Sequence, residues 1–176
     1  MTRVGLVADT HLPRFGRRLP EPLVDGLRAA GVDLILHAGD HTAAFVVELL
    51  SEIAPVEAVA GNNDPPVLVE RFGRRRVIQI GGGVWIGLVH GDLGPGRTTP
   101  ERAARTFVGD EVDVVVFGHS HVPLVERLAD GRLLVNPGSP TDRRRQPRCS
   151  WALLDVGRSS VEAKLRFFDR RPESTL

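Results

Sequence analysis

The chain has a single cysteine, Cys149, which excludes an internal disulfide and any cysteine-rich zinc site. It also lacks an excess of charge: 23 Lys and Arg stand against 22 Asp and Glu, a formal net charge of +1. That balance argues against a basic domain built to coat nucleic acid and against an acidic tail. Lysine is nearly missing, because Lys164 stands beside 22 arginines, and tyrosine is missing altogether. Codon bias explains an arginine excess as readily as physics does, so no function is read from it. No apolar run approaches the ~18 residues of a membrane-spanning helix. The first apolar run, residues 4–8, ends at Asp9 and falls short of the ~7–15 residues of a signal peptide. These shortages point to a soluble, cytoplasmic protein with no membrane partner.

What is present is ordinary in amount. The 176 residues are 41% hydrophobic and 26% charged, the usual globular mix. Length predicts one domain over 1–176, with residues after about 168 frayed. A chain of this size buries ~70% of its unfolded surface and needs no staples.

Short apolar runs alternate with helical periods. Strands are expected over 4–8, 33–37 and 56–60, and helices over 20–30 and 42–53. Strand–helix–strand–helix–strand predicts right-handed crossovers and a parallel sheet. The second half changes character. Strands 76–80 and 84–90 flank Gly81-Gly82-Gly83, a hairpin signal, and strands 122–127 and 133–136 flank Asp130-Gly131, another. A helix over 100–108, a very apolar strand over 112–117 and a final pair over 151–156 and 161–167 complete the pattern.

Five of the apolar strands end in polar clusters. These are Asp9-Thr10-His11, Gly39-Asp40-His41, Gly61-Asn62-Asn63-Asp64, His90-Gly91-Asp92 and Gly118-His119-Ser120-His121. Ligands of open α/β sheets bind outside the carboxyl ends of the strands, so five such endings place their side chains in one crevice. Asp, His and Asn are ligands for Mn, Fe or Zn rather than Cu(I). Each cluster alone reads as a turn or cap; five in register with strand ends do not.

The order Asp-x-His, Gly-Asp, Gly-Asn-x-Asp, His and Gly-His-x-His resembles the calcineurin-like metallophosphoesterases. The short length, Gly61-Asn62-Asn63-Asp64, His90-Gly91 and Asn136-Pro137-Gly138-Ser139 resemble the small YfcE-type phosphodiesterases among them. The resemblance spans residues 4 to about 156. It implies an α/β fold, a four-layer α/β/β/α sandwich of two mixed sheets flanked by helices, with the site at one end of both sheets. It also implies two divalent metal ions, Mn first, with Fe, Ni or Zn as alternatives. Asp9, His11 and His121 would hold the first metal, and Asn62, His90 and His119 the second, with Asp40 bridging both. Two aspartates leave such a cluster formally positive and attractive to phosphate. A bridging hydroxide would attack phosphorus in line, because bound metals lower the pKa of water towards ~7.

Other residues keep open readings. His119 and His121 share a face on a regular strand, which turns Ser120 away. Asp64 is expected to hold a ligand or loop in place. His37 is either a buried histidine satisfied by the backbone or an orienter of a ligand. His41 is either a surface or capping residue or a substrate contact. Arg14, Arg143 and Arg144 are either solvated loop charge or contacts to a substrate phosphate. Without residues for a cap domain, the site is expected to be open.

The sequence departs from the broad family at the general acid. Where many members carry a histidine after Gly-Asn, this chain has Asn63, and where many YfcE-type members have a second histidine in His-Gly-His it has Asp92. Both familiar proton donors are therefore missing, which predicts good turnover only with good leaving groups. If an acid exists, His41 and Asp92 are its first candidates. The expected function is a metal-dependent phosphodiesterase acting on a small phosphate ester. The alternative is a protein-interaction scaffold like the retromer subunit that shares this fold. A nuclease is disfavoured by the near-neutral net charge of +1, and a homo-oligomer is compatible with the chain.

Overall fold

The computed structural model describes residues 1–158 and 160–169. The first half builds the expected α/β alternation. Strand β1 (Thr2–Val7) leads to α1 (Glu21–Ala30), β2 (Leu34–His37), α2 (Phe45–Ser51) and β3 (Val56–Ala58). Both β1–β2 and β2–β3 pair in parallel. Gly31, with φ 59°, closes α1 in the left-handed conformation that glycine adopts freely. Helix α2 is shorter than the expected 42–53, because residues 40–44 form a loop in which Asp40 and Thr42 both have positive φ.

A third helix, α3 (Pro66–Phe72), follows β3 and was not expected. Pro65-Pro66 reads as a turn signal, yet proline fits the first turn of a helix. Only Leu68 of α3 is buried, so the helix has almost no apolar period to read.

The second half forms the other sheet. Strands β4 (Arg75–Ile80) and β5 (Val84–Val89) make the hairpin around the glycines. Helix α4 (Thr99–Thr106) then leads to β6 (Val114–Val116), and β7 (Leu124–Arg127) pairs antiparallel with β8 (Leu133–Asn136). Strands β9 (Cys149–Val156) and β10 (Val161–Phe168) are antiparallel partners that join the first sheet. The sheets run β10-β9-β1-β2-β3 and β4-β5-β6-β8-β7. Both are mixed, and helices flank them, as the four-layer sandwich requires. Of the tail expected to fray after about 168, residues 170–176 lie outside the described residues. Among the described residues no helix is long and apolar enough to cross a membrane.

Side-chain alternation separates the layers. Val4, Leu6 and Ala8 meet Ile86, Leu88 and Val116 between the sheets. Leu23, Leu27 and Leu50 cover the outer face of the first sheet. Phe107 and Ala103 cover the second against Val115 and Phe117. The buried strands read as continuous apolar runs because both faces are covered. Strands β1, β2 and β3 run parallel in one sheet, and β5, β6 and β8 run parallel in the other. The polar clusters follow the ends of five of these six strands.

Candidate metal centre

The loops after the strands are held in unusual backbone conformations. Asp9, His11, Asp40, His119 and His121 have φ of 54°, 45°, 59°, 67° and 59°. A non-glycine residue pays ~1–2 kcal/mol for this left-handed region, and five instances gather in this one cluster. They also correct the expectation for 119–121. These residues are not on a regular strand, and β6 ends at Val116. Positive φ at both positions sends His119 towards Asn62 and His121 towards His11. Ser120 is turned away as expected, and its hydroxyl accepts from Asn136 Nδ2 at 3.0 Å.

Two donor groups that could hold a metal ion overlap. Asp9, His11 and His121 form one, and Asp9, Asp40 and His90 the other. His121 Nε2 lies 3.3 Å from His11 Nε2 and 3.4 Å from Asp9 Oδ1. Asp40 Oδ2 lies 3.3 Å from His90 Nε2 and 3.6 Å from His11 Nε2, between the two groups. Asp9 belongs to both groups, a shared position that the sequence reading gave to Asp40 alone. Asn62 Oδ1 lies 3.1 Å from His90 Nε2 and 2.9 Å from His119 Nδ1. All seven expected ligand residues thus converge.

Carbonyl groups select the imidazole tautomers. A carbonyl only accepts, so the facing ring nitrogen carries the hydrogen. Ala38 O, 2.7 Å from His90 Nδ1, and Asp142 O, 2.6 Å from His121 Nδ1, leave Nε2 of each ring turned into the cluster. Burial pushes the His121 pKa down to about 4, and it lowers those of His11 and His119. These neutral rings offer lone pairs. Burial raises the Asp9 carboxyl to about 7, with the Asp40 charge adding to it against His90. Burial opposes the charge on His90 too, but the Asp40 hydrogen bond and both carboxylates raise it to about 9. Burial also raises Asp40, yet hydrogen bonds from His90 and Asn63 hold it well below the usual carboxylate range. Two carboxylates at 0% and 1% exposure, the neutral rings of His11, His119 and His121, the Asn62 amide oxygen and a His90 ring that would release its proton on binding are a donor set that fits divalent cations.

Asp64 ties the loops 40–42 and 61–64 together. Its Oδ2 accepts from Asp40 N at 2.9 Å, Gly61 N at 2.7 Å and His41 Nδ1 at 3.1 Å. Its Oδ1 accepts from Thr42 N at 2.6 Å. Gly39 and Gly61 meet backbone to backbone beside it. A Cβ on Gly61 would stand 2.1 Å from Asp40 Oδ1, so no other residue fits there. Asp64→Ala strands three buried N–H groups, each at about 1–3 kcal/mol. It is expected to lower the unfolding midpoint strongly; a shift under about 3 °C would contradict the role. Burial raises the Asp64 pKa, but the His41 bond and charge outweigh it and the net shift is down from 3.8. The stability this contributes is complete above the unfolded value and is lost as pH falls through the native one.

His37 and His41 are both fully buried and stack with ring centroids 4.0 Å apart. His37 Nδ1 accepts from Gly39 N at 3.2 Å, so Nε2 donates to Thr10 Oγ1 at 3.2 Å. It joins the two loops that carry Asp9, His11 and Asp40, combining both expected readings. His41 corrects the surface and substrate-contact readings. At 0% exposure, between His37 and Phe72, it has no access to substrate as an acid. Asp92 corrects the other acid candidate. Its carboxylate is engaged in an ion pair with Arg74, which directs it to that guanidinium. Asn63 donates to Asp40 Oδ1 from its backbone at 2.8 Å and to Oδ2 from Nδ2 at 2.6 Å.

The arginines separate. Arg143 is exposed, and its Nη1 donates to Gln146 O within its own loop. Arg14 is exposed, with its guanidinium 5.4 Å from the Phe15 ring centroid. Arg144 is exposed, and its Nη1 donates to His119 O at 3.3 Å. Its charge reaches Asp9, His11 and His121. The sequence reading missed Asp142, Ser139 and Thr141. Ser139 Oγ donates to Asp9 O and Thr141 Oγ1 to Thr10 O, both at 2.7 Å. Only the Asn136-Pro137-Gly138-Ser139 turn signalled this loop, and nothing local marks Asp142, which acts through its carbonyl.

Comparison with known proteins shows the family. The family model for the calcineurin-like phosphoesterase superfamily domain matches residues 2–159. A probable metallophosphoesterase of Methanothermobacter thermautotrophicus is 39% identical over 140 residues, 78% of this chain and 77% of that protein. Another, of Methanocaldococcus jannaschii, is 37% identical over 164 residues, 92% of this chain and 77% of that protein. In fold, the chain is similar to wild-type Vps29 complexed with Zn2+ from Entamoeba histolytica. That likeness has a TM-score of 0.77 at 24% identity and covers 96% of this chain and 100% of that one. The five strand-end clusters, the sandwich that gathers them and the matches to its sequence together place this chain in the calcineurin-like phosphoesterase superfamily.

Proposed function

We propose that the protein is a metal-dependent phosphodiesterase of the small YfcE type, working in the cytoplasm on a small phosphate ester. The observation that carries this reading is the overlap of two donor groups, with Asp40 between His11 and His90. Asp9, His11 and His121 would hold one divalent cation, and Asn62, His90 and His119 a second, with Asp40 shared. Manganese is the first candidate. When bound, the cations neutralise charge on the phosphoryl oxygens and lower the pKa of water for in-line attack at phosphorus. The chain's own part is to hold the donors: Asp64 sets the Asp40 loop, Asn63 occupies both Asp40 oxygens, and carbonyls fix the rings of His90 and His121.

Arg144 would bind a non-bridging phosphate oxygen, releasing its 3.3 Å contact to His119 O for a charge-assisted one. Arg144→Ala is expected to raise KM about ten- to hundredfold with a smaller change in kcat. An unchanged KM removes Arg144 from the substrate.

The deciding experiment is a screen of phosphomonoesters and diesters with metal-reconstituted protein, with metal content measured alongside. Two bound metals with diester turnover support the reading. A scaffold is the second reading, favoured by the fold likeness to Vps29. Metal content without turnover on any ester favours it instead.

A further inference from the structure

We propose that the Arg74–Asp92 pair is a clamp that positions Asn62 against His90 and His119 across the two sheets. The inference rests on the dinuclear reading above. Arg74 sits in the connection between α3 and β4. Its Nη1 donates to Gly61 O at 2.9 Å, and its Nη2 donates to Asp92. Gly61 directly precedes Asn62 and follows β3 of the first sheet. Asp92 lies two residues beyond His90, after β5 of the second sheet. One guanidinium therefore ties a loop of one sheet to a loop of the other.

The tie answers a specific need. Asn62 comes from the first sheet, whereas His90 and His119 come from the second. Among the described residues, no backbone hydrogen bond joins loop 61–63 to loop 90–92. The base of the clamp is itself anchored, because Gly73 O, one residue before Arg74, accepts from Ala60 N at 2.7 Å. The pair is only partly exposed, 28% for Arg74 and 12% for Asp92, so water screens it less than a surface pair. A planar guanidinium serves a carbonyl and a carboxylate at once from a rigid fork, which an ammonium group does not match. The reading also accounts for Asp92. A histidine there would put a proton donor at the site, whereas an aspartate gives Arg74 its anchor. Arg74 and Asp92 thus act through the Gly61-Asn62 loop, as positioning residues.

The test titrates metal-free protein with Co(II), followed by calorimetry and visible absorption, for the wild type, Arg74→Ala, Asp92→Asn and the double variant Arg74→Ala/Asp92→Ala. The double variant matters because Arg74→Ala alone frees a carboxylate that attracts cations. Circular dichroism melts confirm that each variant folds, and Asp92→Asn keeps the side-chain shape if Arg74→Ala does not. The second equivalent is expected to bind about ten- to hundredfold more weakly in the double variant and in Asp92→Asn, with the first equivalent unchanged. A second equivalent bound as tightly as in the wild type, or equal weakening of both equivalents, overturns the clamp alone. A wild type that takes up no second equivalent overturns the dinuclear reading, and the clamp with it.

Discussion

Asp40→Asn is expected to abolish phosphoesterase activity and lower the bound metal together. Asp40 Oδ2 is the oxygen that stands between His11 Nε2 at 3.6 Å and His90 Nε2 at 3.3 Å. The amide keeps one acceptor but no charge, and its NH2 faces either Asn63, itself a donor to both Asp40 oxygens, or the metal position. A loss of about 10³-fold in kcat is the expected scale for one interaction of this kind in a dry site. The fold should survive, because Asp64 accepts the backbone N–H of residue 40 at 2.9 Å and the substitution leaves that bond in place. Enzyme assays and metal analysis on the same preparation decide the matter. A variant that keeps two metals and activity within tenfold of the wild type would remove Asp40 from the centre.

The second large effect concerns the leaving group. Asn63, an amide, stands where a familiar proton donor is missing, and of the two acid candidates Asp92 is ion-paired with Arg74 and His41 is buried away from solvent. General acid catalysis contributes ~10²–10⁴ in rate, most for poor leaving groups. Aryl diesters are therefore expected to exceed alkyl diesters in kcat by about that factor. Asn63→His is expected to narrow the gap by raising alkyl turnover, since the new ring starts from the loop that touches Asp40. Equal kcat on both esters would mean that an unrecognised acid operates. No alkyl gain in Asn63→His would mean that the missing acid is not what limits the alkyl substrates.

Much of the candidate site was legible because its signal is positional. Asp9, Asp40, Asn62, His90 and His119 each follow an apolar strand, and a sheet gathers strand ends whatever its exact order. The hairpins around residues 81–83 and 130–131 were legible for a similar reason, since glycine marks a tight reversal. Helix α3 was not, because one buried leucine leaves no period and the double proline masks the start. His41 was misjudged because a histidine after a strand-end aspartate carries no local sign of burial. Its place was decided by Asp64, 23 residues away, and by the ring of His37.

By itself, the sequence determined which residue types stand at the strand ends, and so the class of chemistry. Ligand identity is a property of side chains, and strand position follows from apolar runs that are local in the chain. Tertiary structure alone decided which donors share a position, which tautomers face inward and which arginine reaches the site. Asp9 shared by two groups, the carbonyls of Ala38 and Asp142 on the rings of His90 and His121, and Arg74 between Gly61 and Asp92 are all contacts across long stretches of chain. They depend on how two sheets stack and on backbone angles at single residues, and neither leaves a periodic trace in the sequence.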